Sequence, residues 1–569
     1  MIEFQPRPNK ALFAEEISEK CNVSPIVAQV MATRNMLTAQ DAYIFMHPSY
    51  ELLSDPMRMA NVPEVVAYLK TISKETRIRI IGDYDVDGVV GSYILYRGLQ
   101  LLGFYNVDIE IPERKDGYGF KPIQAYKANK DGVELVITVD NGATAKAAID
   151  CCEMPVIVLD HHEVPLLDDG TYDLPNATYV VDPCILGEES TEYLCGAGVV
   201  YYVLRALIGD TEELIHQLLP LTAIATIADV VPLLRDNRIL VKEGLKLLPM
   251  GANVGLQCLF DTLDINVNNI RVYDIGFHVG PAINAAGRLA TPRHALNLLM
   301  TPDRVQGLAY STALKEINEE RQALTYEGYD IAVSQLETDS HIIVTALPNK
   351  YAPVAGIIAG RLKSNYLRPA LVMCESEDGQ VLTGSGRSIE TFNLYDELSG
   401  FTLFRSFGGH KAACGFSLYK DNLSALKLFT ATLDDKVEID KNIIYYDAEV
   451  KPQQLTFGLA NELKLLEPVG QENPTPTLFL SHVRLYGFKR IGKEQQYLSM
   501  LCEPAIKTLM WKDVDEFLDA LATRHDNAQV QRLFDGTGSV TVDMAVELSL
   551  NTFRNNTNLQ LTVRGVKEV

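Results

Sequence analysis

The sequence predicts an α/β protein: two α/β lobes joined by a helical connector, plus a small β-barrel or sandwich at the C-terminus. Three observations carry this. Over 71–235, short apolar runs that stop at acidic residues alternate with helix-like stretches, the signature of a parallel sheet covered on both faces. The alternation returns over 339–440, after a stretch whose apolar spacing is mostly helical. From about residue 443 the period falls toward two, as in Ser539-Val540-Thr541-Val542-Asp543-Met544.

Taken in order, residues 1–70 read as a helical segment with breaks at His47-Pro48 and Asp55-Pro56. Strands are expected at 78–81, 135–139 and 156–159, with helices at 88–102 and 142–152 between them, and Val180-Val181 as a further strand end. The connector spans 236–338. Residues 341–344 and 370–373 open the second lobe, which includes a glycine-rich segment at 384–415. Residues 441–569 form the barrel domain.

The 569 residues are 47% hydrophobic and 22% charged, an ordinary globular composition with room for three or four domains. No apolar run reaches the roughly 18–20 residues that span a bilayer, and the start shows no secretory leader. Nine cysteines lie scattered without CxxC spacing, which reads as free thiols in a reducing, cytoplasmic setting. The net charge of −23 argues against nucleic-acid binding by overall charge. It leaves room for a local basic groove, and carboxylates that bind cations inflate the count.

The acids fall at strand ends. The first strand runs into Gly82-Asp83-Tyr84-Asp85-Val86-Asp87-Gly88, the second into Asp140-Asn141-Gly142, the third into Asp160-His161-His162. In an open parallel sheet these ends line one crevice, where ligands sit. Carboxylates crowded there raise one another's pKa unless cations intervene. Oxygen donors with an imidazole suit Mn²⁺ or Mg²⁺, and two such ions can clamp a phosphoryl group. Asp229, in an apolar helical run, is a further ligand candidate. Taken singly, each has a plainer reading: a turn at Asn141-Gly142, a helix cap at Asp229, core histidines at His161 and His162. A calcium loop from Asp83 would need Glu at its twelfth position, where Ile94 stands. No Walker or dinucleotide glycine motif is present.

GDYDVDG, TVDNG, LDHHE and TIADVVPL, in this order, resemble the four motifs of the DHH phosphoesterases. The resemblance implies that Asp85, Asp87, Asp140, His161 and Asp229 are metal ligands, with Asp140 bridging two ions. Many relatives carry His where Ile81 stands here, so Asp83 joins the expected set. GSGRS (384–388) and FGGHKAACGF (407–416) resemble the DHHA1 accessory domain. FMHPSYELLSDPMRM, ERKDGYGF, AINAAGRLATPRHAL and EPVGQENPTP resemble segments of the single-strand-specific 5′→3′ DNA exonucleases of this family, whose C-terminal domain is an OB barrel.

That likeness implies that Arg114, Asn284, Arg288, Ser385, Arg387 and His410 hold phosphates of the strand or its 5′ end. It places His162 close to the scissile phosphate and gives Arg288 and Arg387 the task of neutralising developing charge. Ala282 departs from the pattern where a basic residue is common, and Tyr351 and Pro353 replace the His and Gly of a WHxG-like segment. The expected activity is Mn²⁺- or Mg²⁺-dependent 5′→3′ degradation of single-stranded DNA to 5′-mononucleotides, in repair and recombination. The expected agent is a cytoplasmic monomer, with a single-strand-binding protein as a partner by analogy. Two alternatives stand beside it. One is the same chemistry on short oligonucleotides, cyclic dinucleotides or pyrophosphate, against which the N- and C-terminal segments speak. The other is a non-catalytic DNA-replication scaffold, against which the intact acids speak.

Overall fold

Uninterrupted aliphatic and β-branched runs form the inner strands of a parallel sheet in the computed structural model, which describes all residues except 1, 9–10, 115–116, 118, 186–189, 252, 337–339, 438–442 and 555. The described chain divides into two compact units, 50–440 and 1–49 with 441–569. The domain limits expected at 338/339 and 440/441 fall outside the described residues.

In the larger unit, β1 (Ile78–Gly82), β2 (Val107–Glu110), β3 (Leu135–Val139), β4 (Val156–Leu159) and β5 (Tyr179–Val181) make a sheet of order β2-β1-β3-β4-β5. Every pairing is parallel. All residues of β1, β3 and β4 are buried, as a sheet covered on both faces requires. One face packs Ile80, Ile137 and Ile157 into a large helical core, and the other packs Ile81, Val136 and Val158 into a smaller one. The chain leaves β1 for β2 on one side and returns to β3 on the other. The crevice between β1 and β3 is therefore the topological switch point.

Strand β2 was not expected. Its sequence, VDIE, reads as acidic and half-exposed, but Arg79 on β1 pairs with Asp108 at 2.7 Å and with Asp131 at 3.0 Å and so lets the acids sit in the sheet. The helix expected at 142–152 shrinks to Lys146–Ile149, because Gly142 takes a φ of +116° that no helix allows. The helix expected at 88–102 is α1 (Val86–Leu101), whose first turn is capped by Asp85. The helices that follow include α2 (Gly196–Ile208), α3 (Glu212–Ala228), α4 (Gly280–Leu289, entered through a π-helical turn at Ile275–Val279) and the 31-residue α5 (Arg304–Ser334).

A second sheet combines β6 (Ile343–Leu347), β7 (Ala370–Glu375), β8 (Val381–Arg387), β9 (Phe404–His410) and β10 (Ala413–Tyr419) in the order β9-β10-β8-β7-β6. Helix α6 (Ala355–Tyr366) packs on β7 and β8. One face of this sheet buries Leu371, Met373, Cys414 and Phe416. The other carries Arg387 and His410 in register across Ala413.

In the smaller unit, β11 (Ala448–Glu449), β12 (Leu478–Ile491), β13 (Tyr497–Cys502), β14 (Ile506–Met510), β15 (Ser539–Phe553) and β16 (Asn556–Glu568) build a sheet whose last five members close into a barrel through the β12–β15 pairing. The N-terminal residues are not wholly helical as expected. Glu3–Pro6 is a strand that pairs in parallel with Ile443–Tyr446. Ser24 donates to Glu462, and Arg34 bonds Asn473. Among the described residues no helix is long and apolar enough to cross a membrane, and all nine cysteines are free thiols.

Candidate metal centre

The motif loops open where the inner strands end. Asp83, Asp87 and Asp140 are almost fully buried, and His161 and Asp229 are partly so. Their ligand atoms form three groups, each within 4.8 Å: Asp83 with Asp85 and Asp140; Asp87 with His161 and Asp229; Asp140 with His161 and His162. His161 Nε2 lies 3.1 Å from Asp140 Oδ1, 3.7 Å from Asp87 Oδ2 and 3.6 Å from Asp229 Oδ2. The six residues expected as ligands are thus gathered at the switch point. Ile81, by contrast, is fully buried in the smaller core and offers nothing.

Local structure explains each position. Asp87 sits on the N-terminus of α2, accepting from the Gly196 amide at 2.6 Å and the Ala197 amide at 2.9 Å. The helix dipole and its unpaired amides favour a carboxylate there. Only glycine fits at 196, since a Cβ would lie 2.7 Å from the Asp140 Cβ. Asp140 itself takes φ +60°, the left-handed region that non-glycine residues seldom visit. Asn141 holds the turn by donating to the carbonyls of Ile81 and Val139. Asp229 terminates α3, at the negative end of the helix dipole, where an anion is disfavoured. Val230 follows at φ +62°, a strained conformation for a β-branched residue.

The electrostatics follow from crowding. Burial, then Asp85, pushes Asp83 up to about 7. Burial, then Asp87 and Asp85, pushes Asp229 up to about 9. Burial also lifts Asp140 well above the carboxylate range, with Asp87 and Asp85 adding to it. Within the ligand set, Asp83 Oδ1 is buried without a hydrogen-bond partner among the described residues. Hard oxygen donors, one imidazole and an orphaned carboxylate oxygen fit a pair of Mn²⁺ or Mg²⁺ ions.

His162 behaves differently. Burial works against its charge, but the hydrogen bond of Nδ1 to Asp160 at 2.8 Å, together with the charges of Asp160, Asp229 and Asp87, outweighs it and lifts the imidazole to about 9. Asp160 is fixed in turn by the Ala143 amide at 2.9 Å. Sequence reasoning named the two histidines as site residues but not Asp160, whose role shows only in this bond.

The expected phosphate ligands lie around the same crevice. Asn284 accepts from the Val86 amide at 3.0 Å, which ties α4 to the first acidic loop. Gly287 packs against the Tyr84 carbonyl, Arg288 follows it, and the Arg114 guanidinium lies 5.3 Å over the Tyr84 ring. Arg387 donates to Ser385 Oγ at 2.9 Å, and both face Gly356 on α6. His410 stands exposed at the end of β9.

Family profiles match residues 77–226 (DHH family, N-terminal domain), 339–438 (DHHA1 domain) and 446–565 (RecJ OB domain). The single-stranded-DNA-specific exonuclease RecJ of Escherichia coli is 30% identical, over 95% of this chain and 96% of that protein. The chain belongs to the RecJ family. RecJ of Bacillus subtilis is 31% identical over 85% of this chain, which spans only 62% of that longer relative. The crystal structure of Thermus thermophilus RecJ in complex with Mn²⁺ superposes with a TM-score of 0.82 at 26% identity, covering 100% of this chain and 79% of that one. The same RecJ in complex with Mg²⁺ gives 0.77.

Proposed function

We propose that the chain is a divalent-metal-dependent exonuclease that degrades single-stranded DNA from its 5′ end to 5′-mononucleotides. One observation carries the reading: in a chain of the RecJ family, three ligand groups linked through Asp140 and His161 meet at the switch point of a parallel sheet. Mn²⁺ or Mg²⁺ held by Asp83, Asp85, Asp87, Asp140, His161 and Asp229 would polarise phosphoryl oxygens and activate water.

The chain's own groups supply the rest. His162, kept cationic by Asp160, donates a proton or hydrogen bond to the scissile phosphate. Arg288 and Arg387 meet charge as it develops. Arg114, Arg288, Ser385, Arg387 and His410 hold phosphates of the strand and its 5′ end, so that cutting occurs one nucleotide in. Asn284 acts on the first acidic loop, through its bond to Val86. The barrel adds the stacking and electrostatic grip that OB folds offer to single strands. The protein works as a cytoplasmic monomer in repair and recombination and meets its strand on a single-strand-binding protein. Light scattering and co-sedimentation check the oligomeric state and that partnership.

The deciding experiment uses 5′-phosphorylated, 3′-labelled single strands with Mn²⁺, beside an Asp140→Ala control. Mononucleotides released from the 5′ end by the wild type alone are expected. Loss from the 3′ end would overturn the polarity, and full activity in the control would remove Asp140 from the reaction. Faster turnover of dinucleotides than of long strands would favour the short-substrate alternative.

A further inference from the structure

The excess of acidic residues makes one feature conspicuous. Five arginines, Arg114, Arg288, Arg321, Arg361 and Arg387, gather beside the crevice, and none has a carboxylate within 4 Å among the described residues. In a chain of net charge −23, cations that stay unpaired together are placed for an anion. The 5′-phosphate pocket proposed above uses Arg114, Arg288 and Arg387. It leaves Arg321 and Arg361 without a task.

Both are held in place. Arg321 on α5 donates from Nε to Asn318 at 3.0 Å, and Asn318 is itself buried. Arg361 on α6 lies 4.4 Å over the exposed ring of Tyr326 on α5, a stacking contact that leaves the guanidinium edge to face an anion. Helix α6 links the two places. Its first turn, at Gly356, abuts Arg387 and Ser385, where a Cβ would be 3.1 Å from each. Arg361 comes five residues later, about 7.5 Å further along the axis. Gly360, one turn after Gly356, faces open space.

The cations also follow an order. Beyond burial, Arg288 feels Arg114 and Arg321 most, then Tyr84 and Asp85; Arg321 feels Arg361 and Tyr326. Arg321 and Arg361 therefore extend the run of cations that includes Arg288 and Arg387.

We propose that Arg321 and Arg361 form a second anion subsite, continuous with the 5′-phosphate pocket, that takes the outer phosphates of strands bearing a 5′-di- or triphosphate. This rests on the 5′-end reading above. Water adds to the phosphorus of the first phosphodiester, and the 3′-oxygen of the first nucleotide leaves and takes up a proton. The first product is then a nucleoside 5′-triphosphate, and the shortened strand carries an ordinary 5′-phosphate.

The test compares 3′-labelled single-stranded DNA bearing a 5′-hydroxyl, 5′-monophosphate or 5′-triphosphate. The wild type should degrade the triphosphate strand with a KM no higher than that of the monophosphate strand, and chromatography should find a nucleoside triphosphate as first product. A strand blocked by its triphosphate would overturn the proposal. In R321Q/R361Q the KM for the triphosphate strand should rise about 10-fold or more, the loss of a charge-assisted contact, while the monophosphate strand changes less than about two-fold. An equal rise for both strands would assign the two arginines to the strand's own backbone, and no rise for either would leave the subsite without support; both results overturn the proposal. R387Q probes the parent reading separately. If it still prefers 5′-phosphate over 5′-hydroxyl ends, the pocket assignment itself fails.

Discussion

Asp140 concentrates the demands on this site in one residue. It lies in two of the three ligand groups, is buried, and takes a left-handed backbone conformation. Asn tolerates that conformation about as well as Asp does, so D140N removes the charge without new strain. Exonuclease activity in D140N should fall by about 10²–10³-fold or more, as when a transition-state contact is deleted. The metal-free variant should melt higher than the wild type at alkaline pH, because one repelling carboxylate is gone. A lower melting temperature would count against crowding as the cause of the raised values. Asp83 and Asp229 extend the same logic. Their values are raised, to about 7 and about 9, so the folded metal-free chain holds protons that the unfolded chain releases above about pH 4. The stability they contribute is complete below about pH 4 and is lost as pH rises through 7 and then 9. Protein in EDTA should melt lower at each step from about pH 6 to about pH 9, and Mn²⁺ should remove most of that trend. A flat profile in EDTA would refute it.

Helix ends and loop entries turn these residues into a site. The start of α2 supplies the two amides that hold Asp87, and α4 is latched to the first acidic loop by Asn284 and by the approach of Gly287 to Tyr84. A Cβ on Gly287 would lie 2.5 Å from the Tyr84 carbonyl oxygen. Gly287→Ala should destabilise the protein by about 1–3 kcal/mol and move Arg288 from its place. Chemical denaturation should show the loss, and the KM for 5′-phosphorylated strands should rise more than kcat falls. Gly196→Ala should instead lower kcat, since it presses on Asp140 and disturbs the Asp87 amides. The inner strands β1, β3 and β4 were legible because both faces are buried and their runs are purely apolar. Strand β2 was not, because its acids are acceptable only beside Arg79, a neighbour that local sequence does not reveal.

Both chain ends belong to the smaller unit. The strand Glu3–Pro6 pairs with Ile443–Tyr446, and the N-terminal helices bond to residues 462 and 473. Deleting 441–569 alone would leave residues 1–49 without their partners, and aggregation of that truncated chain is the expected result. Residues 50–440 hold a core of their own and should stay soluble and cooperatively folded. Circular dichroism and light scattering of the two truncations distinguish the cases. An aggregated 50–440 beside a soluble 1–440 would reverse the assignment.

The order of apolar runs and the residues that end them settled the parallel sheet, the crowding of acids on one edge and the demand for divalent cations. Those features depend on neighbours in the chain and on rules common to all α/β sheets. The sequence could not decide which amides hold Asp87, that Asp160 governs His162, that the first 49 residues fold with the last 129, or that Arg321 and Arg361 extend a cationic track. Each of these is a meeting of segments distant in sequence. Hydrogen bonds and charges act over a few ångströms of space, and only the folded chain sets those distances.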